Sequence, residues 1–217
     1  MNQPKILTPL QEKFMKQIFL DEWFRSHFYL TGGTALSAFY LFHRYSDDLD
    51  FFTHGIELLA IPQLMDFVAK KTNTTVERIQ TSPNFQRYLV NKELKVDVVS
   101  DIEWRLGAPQ LTGTFMVDSL KNIAVNKVGC LLGRLDAKDY VDLYLLLTEK
   151  CFDIFELLRL GQNKDGGLEP FVWASVIADV EKLPMMPRMI RPIKLSELKL
   201  FYLKLRDEIL ISIKPKK

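Results

Sequence analysis

Two acids separated by one leucine, Asp48-Leu49-Asp50, stand where few folds tolerate them. They follow an apolar strand pattern, Phe28-Tyr29-Leu30, a Gly32-Gly33-Thr34 turn and an apolar helix pattern from Ala35 to Phe42, and they run straight into Phe51-Phe52. Alternate side chains of a strand point the same way, so Asp48 and Asp50 share one face, roughly 6.5 Å apart at about 3.3 Å per residue. Asp is disfavoured in strands, and two like charges this close need a cation between them. Carboxylate oxygens suit a hard divalent ion such as magnesium. The competing reading is a solvent-facing strand edge, where acids also discourage aggregation. Glycines in the turn allow close backbone approach, and amides at a helix start attract phosphate. Read alone, Gly32-Gly33 is only a tight turn, and the Gly-Lys-Ser/Thr signature of a P-loop is absent. Asp47 points to the other face as a solvated neighbour. Ser46 either orients a ligand or begins the strand.

Composition sets the outer bounds. With 217 residues, 47% of them hydrophobic, the chain can build one large domain or two small ones. Its net charge of +2 excludes a strongly basic nucleic-acid coat and permits a local basic patch. Cys130 and Cys151 lack metal or disulfide-framework spacing, which suggests a reduced, intracellular protein. Without a signal peptide or an apolar run near ~18 residues, a soluble cytoplasmic protein with no membrane partner is expected.

The pattern predicts an α+β fold with a mixed β-sheet core flanked by helices and followed by a C-terminal helical region. Thr8-Pro9-Leu10-Gln11 carries the signature of a capped first helix. Ile61 to Lys70 reads as a helix; Thr74–Ile79, Phe85–Asn91 and Leu94–Val99 read as strands. Gly107 to Gly113 reads as a connection. Asp118 or Ser119 can cap a helix to about Leu132, and Asp136 one from Ala137 to Leu147. Ser196 to Ile211 reads as a long amphipathic helix with Leu198, Phe201, Leu205 and Ile209 on one stripe, a face for the domain's own core more readily than for a partner. The domains are drawn at 1–115, an α/β core, and 116–217, a helical domain.

Four further positions bear on chemistry. Asp97, between Val96 and Val98, is either a third carboxylate beside Asp48 and Asp50 or an exposed acid compensated by Lys95. Lys127, in a mostly apolar helix, is either a snorkelling side chain or a phosphate contact. Asp139 lies in a first helical turn, where a carboxylate simply suits the helix dipole; Asp142, one turn further in, has no such reason and is the preferred functional acid. Arg134 and Lys138 stand near this group in sequence. Arg25, Arg44, Lys70, Lys71, Arg78 and Arg87 could contact RNA phosphates, but a dispersed soluble surface is the preferred reading.

Together Thr31–Leu36, His43–Phe52, Lys95–Val99 and Ala124–Lys127 through Lys138–Tyr144 resemble the AbiEii/AbiGii toxin family of minimal nucleotidyltransferases, in the DNA polymerase β-like superfamily. The motifs occur in the family's order over about residues 28–147. The resemblance implies Asp48, Asp50 and Asp97 on magnesium, and Gly32, Gly33, Thr34 and Ser46 around the triphosphate of an NTP. It also implies Lys127 on the nucleotide phosphates and Asp142 as the late acidic motif; Asp97 or Asp142 could accept the attacking proton. The implied activity is transfer of a nucleoside monophosphate to an acceptor, an RNA or tRNA end or a protein hydroxyl, by the toxin of a toxin–antitoxin pair with a cognate antitoxin protein. A small-molecule, antibiotic-type nucleotidyltransferase and a non-catalytic nucleotide- or partner-binding module are the alternatives.

Overall fold

The computed structural model describes residues 5–213. The chain divides between Leu120 and Lys121 into two compact units. In the first, α1 (Pro9–Ile18) starts with the capping box that its sequence predicts: the Thr8 hydroxyl accepts from the Gln11 amide, and the Gln11 side chain accepts from the Thr8 amide. Asp21 caps α2 (Glu22–His27), which leads into β1 (Tyr29–Thr31). Gly32–Ala35 forms the short α3, and Leu36–Leu41 continues it as a wider π-helical coil ended by Phe42 at φ 54. Apolar spacing predicts a helix here but cannot show this widening, which recurs at functional sites.

The remaining elements of this unit are β2 (Leu49–His54), a 3₁₀ turn (Leu58–Ala60), α4 (Ile61–Thr72), β3 (Val76–Ser82), β4 (Phe85–Val90), β5 (Leu94–Asp101), β6 (Gln110–Thr112) and β7 (Phe115–Val117). The sheet order is β3-β4-β5-β2-β1-β7-β6. β2–β5 and β1–β7 are parallel and the other pairs antiparallel. The stretch expected as a plain connection thus contains β6, hairpinned to β7 by a turn with Gly113 at φ 62. A strand of three exposed residues carries no periodicity to read.

Period two places the chemistry. Along β2 and β4 buried and half-buried residues alternate. Leu49, Phe51, Tyr88, Val90, Val96 and Val98 are buried, and the Phe51 ring meets Phe24 at 5.2 Å and Phe19 at 5.7 Å. Burying such a set, at roughly 1.5–3 kcal/mol per large side chain, fixes which face turns inward. Asp50, Arg87, Lys95 and Asp97 alternate with these residues and are left on the opposite face.

The second unit is helical: α5 (Leu120–Gly133), α6 (Ala137–Thr148), α7 (Ile154–Gly161), α8 (Pro170–Ile177), a 3₁₀ turn (Ala178–Lys182) and α9 (Leu195–Ser212). Asp136 caps α6, accepting from the Lys138 amide at 2.9 Å. Two buried aromatics satisfy their polar ends internally: Trp173 donates to the Val128 carbonyl at 3.0 Å and Tyr202 to the Tyr140 carbonyl at 2.7 Å. The buried stripe of α9 is Leu198, Tyr202, Leu205 and Ile209. Tyr202 takes the place expected of Phe201, which is half-buried with its ring 4.9 Å from Tyr144. Among the described residues no helix is long and apolar enough to cross a membrane.

Candidate active site

Gly32 and Gly33 are required by space as well as by backbone shape. Gly32 has φ +68, and a Cβ on it would lie 2.3 Å from Asp50 Oδ2. A Cβ on Gly33 would lie 2.5 Å from Arg44 Nη2 and 3.1 Å from Ser46 Oγ. The two glycines therefore form the floor against which the Asp50 carboxylate and the Arg44 guanidinium rest. Thr34 is buried and its hydroxyl donates to the Asp48 carbonyl, tying the turn to the start of β2. Gln11 Nε2 donates to the Ser46 carbonyl at 2.8 Å, fastening α1 to the same segment. Arg44 corrects the sequence reading: it is 1% exposed, so it belongs neither to a soluble surface nor to an RNA path. Its Nη1 donates to the Tyr45 carbonyl at 2.9 Å.

On the polar face, Asp50 stands opposite Asp97 in the β2–β5 register, and Asp97 opposite Arg87 in the β4–β5 register. Arg87 Nε and Nη2 each bind one Asp97 oxygen at 2.7 Å. Lys95 Nζ lies 2.7 Å from Asp48 Oδ2. So Asp97 does come beside the pair, but its counter-charge is Arg87; Lys95 serves Asp48 instead. For Asp97 to take a metal or a proton, the Arg87 pair must open. Arg87, grouped with dispersed cations in the sequence reading, belongs to this cluster. The signal that finds it is the hairpin that starts at Val90↔Leu94, because that register sets Arg87 opposite Asp97.

Among the described residues no three acids, histidines or cysteines group to hold a metal ion. Magnesium seldom needs three: it keeps waters and binds through one or two carboxylates plus substrate phosphates. Asp48 and Asp50 fit that requirement as a hard-oxygen pair. Asp50 is fitted so closely to Gly32 that no side chain could stand between its carboxylate and the turn.

In the second unit, Lys127 Nζ on α5 lies 2.7 Å from Asp139 Oδ1 and 2.7 Å from Asp142 Oδ2 on α6. Arg134 Nε reaches Asp139 Oδ2 at 2.6 Å. Both carboxylates are wholly buried and the Lys127 side chain is 6% exposed. Lys127 therefore does not snorkel; two acids one helical turn apart hold its ammonium inside. Asp139 is more than a helix-dipole residue, since it shares Lys127 with Asp142. Burial raises the Asp139 pKa, but Lys127 and Arg134 outweigh burial and hold it below its ordinary value of 3.8.

The nucleotidyl transferase AbiEii toxin family, of type IV toxin–antitoxin systems, matches residues 13–165, well over half of the chain. The chain belongs to the AbiEii toxin family. It is accordingly a nucleotidyltransferase. The AbiEii match takes in Gly32, Gly33, Asp48, Asp50, Asp97, Lys127 and Asp142, and ends before α8. A candidate nucleotidyltransferase from H. pylori shares the AbiEii chain's fold with a TM-score of 0.61 at 20% identity, covering 97% of this chain and 100% of its own. JHP933 from Helicobacter pylori does so at 0.56 and 20%, covering 93% of this chain and 91% of its own. Both likenesses are of fold and extend over the helical unit that the family match only enters. No curated protein matches the sequence.

Proposed function

We propose that this AbiEii-family chain is a magnesium-dependent toxin that transfers a nucleoside monophosphate from an NTP to a hydroxyl acceptor, with an RNA end, such as a tRNA 3′ end, as the first acceptor to test. The observation that carries the reading is the Asp50 carboxylate seated on Gly32 of the strand-to-helix turn, two residues after Asp48, whose own carboxylate reaches Lys95. Asp48 and Asp50 would hold the ion, which when bound would supply positive charge to the phosphates. Gly32 and Gly33 let phosphates approach the backbone; Thr34 and Ser46 hold the turn and the start of β2 in position. The acceptor oxygen bonds to the α-phosphorus, the bond to pyrophosphate breaks, and the acceptor's proton passes to a base. Lys127 is the proposed phosphate contact and Asp142 the proposed late acid; Asp139 and Asp142 set the ammonium's position. Exposed Arg25, Lys70, Lys71 and Arg78 suit an acidic acceptor. A cognate antitoxin protein is the expected partner of a toxin of this family.

The test is incubation with α-labelled NTPs, magnesium and total RNA. Transfer to RNA by the wild type, lost in Asp48→Ala and Asp50→Asn by more than ~100-fold, above the range for residues that only support metal ligands, is the expected result. No transfer to any macromolecule, or equal transfer by the variants, defeats the reading.

A further inference from the structure

Across the sheet Thr31, Asp50, Asp97 and Arg87 follow one another in register on β1, β2, β5 and β4. Directly paired residues of neighbouring strands share a face, so Asp50, Asp97 and Arg87 form one row. Two carboxylates abreast on a parallel ladder would ordinarily call for cationic charge at each. Asp97 already has it, and in a form unlike that at Asp48. Lys95 reaches Asp48 through one contact, with the side chains 36% and 31% exposed. Arg87 grips Asp97 by two bonds of 2.7 Å, with the acid only 9% exposed. The guanidinium also lies 5.1 Å from the Phe85 ring centre. A bidentate, stacked guanidinium is a fixed cation, whereas a singly bonded ammonium on an open face gives way easily. The hydrogen bond to Asp97 raises the Arg87 pKa against the lowering effect of burial, and the charges of Asp97, Asp48 and Asp50 add to it.

We infer that Arg87 stands in for a second metal ion: the face takes a single divalent cation on Asp48 and Asp50, and Asp97 is the anchor of Arg87, not a metal ligand. The inference rests on the proposed reading of Asp48 and Asp50 as the metal pair. It makes Arg87 a permanent cation that meets the substrate phosphates directly. Asp97 accepts from two of the five Arg87 N–H donors, and the other three can meet phosphate oxygens.

Titration of the full chain with Mn²⁺ alone, counting bound ions from the loss of the free-ion electron paramagnetic resonance signal, tests this without turnover. The wild type binds one ion per chain. Arg87→Met frees Asp97 and binds two. Asp97→Asn still binds one. Two ions on the wild type, an ion lost in Asp97→Asn, or a single ion on a folded Arg87→Met each overturn the inference. Should Arg87→Met fail to fold, the Asp97→Asn count decides: one ion in both chains supports it, and a lost ion overturns it. Asp50→Asn separates the two layers: its Mn²⁺ affinity falls at least ~10-fold if the metal pair is real. A wild type that binds no ion, or a count that Asp50→Asn leaves untouched, removes the metal pair and this inference with it.

Discussion

The two units handle the same residue types in opposite ways. On the sheet of the first, Lys95 reaches the partly exposed Asp48 through one contact, while Arg87 grips the nearly buried Asp97 through two. In the second, the cation is central and Asp139 and Asp142 enclose it away from water. Exposed pairs exchange partners at small cost, because water replaces whatever leaves. A buried pair cannot, because the group left behind has lost its solvation. The Asp48–Lys95 pair can therefore open to a metal ion and phosphates with little change elsewhere. Breaking the Lys127 cluster should therefore cost its own unit stability, whatever Lys127 contacts.

The strongest way to break this contrast is Lys127→Met. It leaves two buried carboxylates facing each other and is expected to destabilise the protein by about 3–5 kcal/mol, seen as an early urea midpoint. Adding Asp139→Asn and Asp142→Asn to it should return much of that loss. A Lys127→Met protein as stable as the wild type would show that the cluster does not hold the fold.

Gly32→Ala comes next. Its left-handed backbone alone costs roughly 1–2 kcal/mol for a residue with a Cβ. The methyl would also sit 2.3 Å from Asp50 Oδ2, so transfer should fall further than stability does. Full activity in this variant would mean that the Asp50 carboxylate need not stay seated on the turn.

Acid sharpens the comparison. Because Lys127 and Arg134 hold Asp139 below its ordinary pKa, the folded state favours its ionised form. The stability this adds is present above about pH 4, where the unfolded carboxyl is also ionised, and is lost as the pH falls through the lowered folded value. Wild-type stability should therefore fall more steeply below pH 4 than that of Asp139→Asn. Parallel pH profiles of the two would contradict the assignment. The smallest effect belongs to Lys95→Met, which should change stability by less than ~1 kcal/mol, since that pair is about a third exposed. A larger loss would mean that the Asp48 pair is structural.

Local chemistry explains what the sequence could reveal. The Thr8 capping box, the Gly32-Gly33 turn, the β2 alternation and the Asp136 cap each depend on residues within a few positions of one another. The pairings of the charges do not. That Lys95 serves Asp48 while Arg87 serves Asp97 follows from cross-strand register. That Asp139 and Asp142 share Lys127 depends on how α5 packs against α6. Arg44 reads like any surface cation because nothing near it in sequence says that Gly33 leaves room for a buried guanidinium.

The most direct test measures transfer and unfolding together in two isosteric variants, Asp50→Asn on the open sheet face and Asp139→Asn in the buried cluster. Asp50→Asn should lose nucleotidyl transfer while keeping the wild-type unfolding midpoint, and Asp139→Asn should lower the midpoint at neutral pH. An Asp50→Asn protein that transfers label at the wild-type rate would contradict the account.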